Sequence, residues 1–155
     1  MALQEVLLYK FEELSNFTNS NLKGEFRMSE TAKQVPNLIG TWVGQTNDAV
    51  IGGGSHYPDG KEGEVRFLSS TVTYKFDKQS NRAFAGVFTI AGHTVPIVGS
   101  FSGDLINGTM ADQDGTYMFK MLGQNQISVF FASTTTDPSN PSAGPVADCH
   151  EVTRQ

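Results

Sequence analysis

A chain of 155 residues, 38% of them hydrophobic and with 11 phenylalanines, has room for one packed core and not for two. Its net charge of −5, from 11 Lys and Arg against 16 Asp and Glu, argues against nucleic acid or an anionic membrane as partner, because both demand clustered cations. The 16 glycines and 6 prolines favour strands and tight turns over helices.

The only helical periodicity lies over residues 2–14, where Leu3, Leu7, Phe11 and Leu14 recur every three or four positions and form one apolar stripe. Glu5 and Lys10 interrupt the apolar run, so the segment does not read as a signal peptide. No stretch approaches the ~20 apolar residues that span a bilayer. With a single cysteine, Cys149, and so no internal disulfide, the chain is expected to be cytoplasmic. From Ser15 to Gln34 the chain is polar and reads as a linker. The expected division is therefore a helical arm and linker over 1–35 and a β-domain over 36–155.

From Pro36 onward the hydrophobic period is two. Strands are expected over Leu38–Gly44, Glu64–Leu68, Thr71–Phe76, Ala83–Ala91, Val95–Phe101, Ile106–Met110, Thr116–Leu122, Ile127–Ser133 and Val146–Thr153, joined by short turns rich in Gly, Asn and Asp. A meander of eight or nine short strands removes its edges by closing into a barrel. The expected fold is all-β: a small closed antiparallel up-and-down barrel of about eight strands, preceded by the helical arm. Two longer segments, Asn47–Gly63 and Thr134–Pro145, read as loops at the open mouth. One strand face is strongly apolar: Val72, Tyr74 and Phe76; Phe84, Phe88 and Ile90; Val95, Ile97 and Phe101; Tyr117, Phe119 and Met121; Ile127, Val129 and Phe131. That face is the expected interior. Gly86 and Gly99 on it either relieve crowding or leave room for a ligand.

The segment Leu38-Ile-Gly-Thr-Trp-Val-Gly resembles the opening strand of the calycins, where a Gly-x-Trp closes the floor of a lipocalin or avidin barrel. The single tryptophan, Trp42, argues against avidin-type biotin binding. A fuller resemblance, from Leu38 to Arg154, is to a group of small bacterial calycin-like barrel proteins. It rests on Gly-Thr-Trp-Val-Gly, the Gly-rich His-Tyr-Pro loop, Gln79-x-x-Arg82-x-Phe-x-Gly86, Asp112-x-Asp-Gly-Thr-Tyr and Val146-Ala-Asp-Cys149. That resemblance implies a fold and no activity. A looser one, in outline only, is to the barrel spirocyclases of bacterial polyketide pathways, in which an N-terminal helix covers the mouth.

Trp42 reads first as barrel floor, stacked by a cation such as Arg154 or Arg82. His56 and Tyr57 sit in the Gly-rich loop, which fits no phosphate-loop spacing. Cys149 reads as a buried packing thiol, with His150 pointing to the opposite face. His93 reads as a solvated turn residue. Asp112-x-Asp114-Gly has the start of a calcium loop without its remaining ligands, and turn geometry explains it. No metal and no cofactor is expected. The expected ligand-lining set is Tyr74, Phe88, Tyr117, Phe119, Met121, Phe131, Trp42, His56 and Tyr57, with no catalytic residue singled out. Gln45 and Asn107 are further polar groups beside the strands.

Two functions follow. One is binding of a hydrophobic small molecule in the barrel, covered by the N-terminal helix. The other is a cofactor-independent cyclase or isomerase, of spirocyclase or [4+2] cyclase type, acting there on a polyketide-like substrate by positioning and a few hydrogen bonds. The outward faces of Ala83-x-Ala85-x-Val87 and Met118-x-Lys120-x-Leu122 point to self-association as a homodimer.

Overall fold

The computed structural model describes residues 33–53, 57, 59–134 and 143–155. The helix expected over 2–14, its linker, His56 and most of the loop 134–145 lie outside them. Among the described residues no helix is long and apolar enough to cross a membrane.

Ten strands form one antiparallel sheet: β1 (Gly40–Gln45), β2 (Asp48–Gly52), β3 (Val65–Leu68), β4 (Thr71–Ser80), β5 (Ala83–Ile90), β6 (His93–Phe101), β7 (Asn107–Ala111), β8 (Thr116–Gly123), β9 (Gln126–Ser133) and β10 (Ala143–Arg154). Their order is β1-β4-β5-β6-β7-β8-β9-β10-β2-β3, and an additional β1–β10 pairing closes the ring. Registers show why ten elements make an eight-stranded barrel. Gln45 pairs with Thr71 and Asp48 with Leu68, one unbroken register across the gaps at residues 46–47 and 69–70. Likewise Gln45 pairs with Glu151 and Asp48 with Asp148. Thus β1 and β2 are two halves of one bent strand, as are β3 and β4. At the bend the Thr46 N–H still donates to the Ser70 carbonyl, but the Ser70 N–H donates to the Thr46 hydroxyl, a side chain standing in for a carbonyl.

All nine expected strands are present, with ends shifted by a few residues. The strand β2 is a correction, since Asp48–Gly52 falls within the segment read as a loop. Its inward positions carry Asp48, Val50 and Gly52, so the apolar alternation that marks a half-buried strand is broken at its first residue.

The expected interior face is the interior. Its members are buried, except that Met121 and Phe131 are only partly buried against the same core. At the floor, Trp42 is fully buried, its Nε1–H donates to the Leu38 carbonyl at 2.8 Å, and the Arg154 guanidinium lies 4.5 Å over its ring. Leu38 is itself held by the Gln79 side-chain oxygen. Above it, Phe84, Phe101 and Phe119 meet edge-to-face, with centroids 5.2–5.9 Å apart.

Gly99 and Gly108 make room for these rings, because a Cβ at either would come within 2.5 Å of Phe84 or Phe119. The space near Gly99 is therefore taken by an aromatic ring. Gly86 serves a close backbone approach, its Cβ position lying 2.0 Å from the Lys75 carbonyl oxygen beside the bulge between Phe76 and Lys78. The gap left between Leu38, Tyr74, Phe76, Met110, Phe119 and Val152 admits no water-sized sphere. The floor half of the barrel is filled.

Candidate functional site

The mouth half is built differently. Beside the apolar Val50 and Val72, the polar side chains of β2, β4 and β10 that point inward there are Asp48, Tyr74, Asp148 and His150, and Tyr57 joins them from the Gly-rich loop. Asp48 and Asp148 are direct cross-strand partners, and Thr46 continues the same register opposite His150. Asp48, His150 and Thr46 are all buried.

Two hydrogen-bonded chains result. In the first, the Asn47 N–H donates to Asp148 Oδ1 at 3.0 Å, Asp148 Oδ2 lies 2.5 Å from His150 Nδ1, and His150 Nε2 lies 3.1 Å from the Tyr74 hydroxyl. Asp148 Oδ2 accepts from the His150 Nδ1–H, which leaves Nε2 to accept from the phenol and so assigns the tautomer. In the second, the hydroxyls of Thr46 and Tyr57 both donate to Asp48 Oδ2 at 2.6 Å. Arg66 of β3 donates to the carbonyls of Gly52 and Tyr57 at 3.0 Å. A third acid–phenol pair stands at the β7–β8 turn. Asp112 Oδ1 receives the N–H groups of Asp114 and Gly115, the turn expected from sequence, while Oδ2 accepts from the Tyr117 hydroxyl at 2.5 Å. Rings join the groups: Phe88 lies 5.0 Å from Tyr74 and 5.8 Å from Tyr117, and Phe131 lies 4.5 Å from Tyr117.

Burial, followed by bonding to Asp48, raises the Tyr57 phenol above its ordinary range. Burial, followed by the Asp112 contact, does the same at Tyr117. Tyr74 is raised by burial and then by the charges of Asp148, Asp112 and Asp48. All three stay protonated donors well into alkaline solution. Asp48 is also raised, by loss of water first and by Asp148 to a smaller degree, against the lowering pull of the Thr46 and Tyr57 hydroxyls and of His150.

The sign of the pH effect follows. A carboxyl whose folded pKa exceeds its unfolded value of 3.8 holds its proton more tightly in the folded state. Stability then falls as pH rises from about 3.8 through the folded pKa. Asp48→Asn removes this dependence, so its urea midpoint relative to the parent should be higher at pH 7 than at pH 4. A difference independent of pH would contradict it.

Among the expected ligand-lining residues, the structure brings Tyr57, Tyr74, Phe88, Tyr117 and Phe131 together at the mouth half. It places Trp42, Phe119 and Met121 in the floor half. Gln45 is exposed and donates to Thr71, and Asn107 is tied to Asp104 in the floor loop. His93 is exposed at the start of β6. Among the described residues no group of three or more His, Cys, Asp or Glu could hold a metal ion.

Cys149 is a correction. It is exposed, because its neighbours Asp148 and His150 take the inward positions. The signal was in the sequence. Arg154 stacked on a buried Trp42 turns the even-numbered residues of β10 inward, and parity then carries Val152, His150 and Asp148 with it.

No family model matches the chain, and no curated protein matches it. Among solved structures it is similar to EF1p2_mFAP2b, described as bound to DFHBI, at 13% identity and a TM-score of 0.47, over 76% of this chain and 94% of that one. A likeness of that size says nothing about what the present barrel binds.

Proposed function

We propose that the barrel binds a small, largely apolar molecule at its mouth half, oriented by Tyr57, Tyr74, Tyr117, Asp48 and His150 and flanked by Phe88 and Phe131. One observation supports this reading above the others. A barrel core needs no ionisable groups, yet two carboxyls, an imidazole and three phenols converge inside this one, above a floor with no room for a water molecule. A few convergent polar groups in an apolar enclosure are what a ligand site uses for orientation. The Asp148–His150–Tyr74 chain favours a second reading in the same place, a cofactor-independent cyclase or isomerase. In it the Tyr74 hydroxyl would turn from His150 Nε2 to donate to a substrate carbonyl and polarise it.

Residues 1–14 serve in this reading as the cover. The chain enters the barrel at the floor, but the linker of residues 15–33, at up to ~3.3 Å per residue, is long enough to return to the mouth. The test is titration with prodan, a neutral naphthyl ketone whose emission shifts to the blue in apolar surroundings. Saturable one-to-one binding is expected, weakened roughly tenfold by Tyr57→Ala or by deletion of residues 1–14. Absence of saturable binding across a panel of neutral apolar probes would contradict the reading. Unchanged binding after the deletion would remove the cover alone.

A further inference from the structure

We infer that β3 is a self-complementary edge through which two copies of this chain pair antiparallel about a two-fold axis. The hydrogen-bond alternation shows which groups are offered. The Gly52 N–H donates to the Glu64 carbonyl at 2.7 Å and the Thr46 N–H to the Ser70 carbonyl at 2.9 Å. In an antiparallel ladder this turns the main chain of residues 64, 66, 68 and 70 toward β2, and that of Val65 and Phe67 the other way. On that other side β3 has no neighbour among the described strands. Its continuation β4 is paired with β5 up to Val72 and Ile90, after which the β5–β6 hairpin turns back at Ala91 and Gly92, below β3. Two N–H groups and two carbonyls are therefore presented at one edge.

The side chains at these positions are apolar and outward. Phe67 is 82% exposed, Val65 60%, and Ile51, the cross-strand partner of Val65, 41%. Large apolar residues on an open strand edge are what folded proteins normally avoid. A second β3 fits it. Pairing about Arg66 sets Val65 of each copy opposite Phe67 of the other, and the four resulting hydrogen bonds use every free group on both edges.

Charge permits the arrangement. Glu64 falls opposite Leu68, so no acidic side chain of this acidic protein faces another. The two Arg66 residues fall opposite each other, but each guanidinium is drawn back onto its own Gly52 and Tyr57 carbonyls and away from its counterpart. A foreign peptide would gain only these few bonds against the cost of ordering itself, whereas a second copy brings the edge already ordered. Val65, Phe67 and Ile51 of the two copies together offer roughly 700 Å², the size of a weak encounter and not of a permanent one, so the dimer is reversible. Because β2 carries Asp48, and Arg66 of β3 ties down the Tyr57 carbonyl, pairing would also steady one wall of the mouth.

Sedimentation equilibrium of the full chain over a wide concentration range tests this. Phe67→Pro deletes an edge donor that β2 does not use, and edge positions tolerate proline. Phe67→Lys is the second variant should the proline disturb folding. A concentration-dependent dimer, weakened at least tenfold by either variant with the urea midpoint kept, is expected. A chain that stays monomeric throughout would overturn the inference, as would a dimer indifferent to both variants. A Phe67 amide protected from hydrogen exchange in the monomer, meaning that the chain covers its own edge, would overturn it too.

Discussion

His150→Leu is expected to destabilise the barrel by about 3–5 kcal/mol, the range for leaving a buried carboxylate without its partner. The imidazole is bonded on both nitrogens, to Asp148 and to Tyr74. Leucine fills much of its volume but leaves a carboxylate and a phenolic hydroxyl facing each other across apolar side chains. The same change should abolish prodan binding if the mouth cluster is the site. For a domain of this size the loss corresponds to a fall in Tm of roughly 10–20 °C. The double variant Asp148→Leu with His150→Leu separates charge from shape. It should recover at least half of the lost stability, because no unpaired charge remains, while binding stays lost. A double variant as unstable as the single would show that the pair contributes by packing and not by compensation of charge.

Trp42→Ala is expected to cost about 3–5 kcal/mol, the range for a large aromatic removed from a core, and to leave the mouth intact. Trp42 has no exposed surface, closes the floor through its bond to Leu38, and seats the Arg154 guanidinium. Its loss opens a cavity under rings that are already in contact, and that floor cannot collapse without moving Phe76, Phe84 and Phe119. Urea denaturation should show the midpoint falling with the slope unchanged, and prodan should still bind, losing at most about tenfold in affinity because Trp42 is the cross-strand partner of Tyr74. A collapse of binding equal to that of His150→Leu would mean that the floor, and not the mouth, carries the ligand.

These two residues also show how far the sequence could be read. Trp42, the period-two face and the short Gly- and Asn-rich turns led to the closed barrel, because burial of alternate residues is a property of strands that composition displays directly. The mouth cluster was hidden for the same reason. A strand is recognised by apolar inward positions, and β2 carries Asp48 at its first inward position, so its sequence reads as loop. On β10, Cys149 between Ala147 and Asp148 on one side and His150 on the other looked like the residue to bury. Only the pairing of β10 with β1, from Trp42 opposite Arg154 to Gln45 opposite Glu151, sets the opposite parity. Tyr57 could be picked out by its residue type and loop, but its partner Asp48 lies nine positions away across that loop. Polar groups that meet only through strand register leave no local spacing to find.

NMR mapping of the prodan complex decides whether a small molecule sits among the polar groups of the mouth half. The side-chain resonances of Tyr57, Tyr74, Tyr117 and His150 should shift together and saturate at one equivalent, with intermolecular contacts to Phe88 and Phe131, while the Trp42 indole N–H stays unmoved. Saturable shifts confined to Trp42, Phe119 and the floor, or to the outer face around Met118 and Phe130, would contradict it.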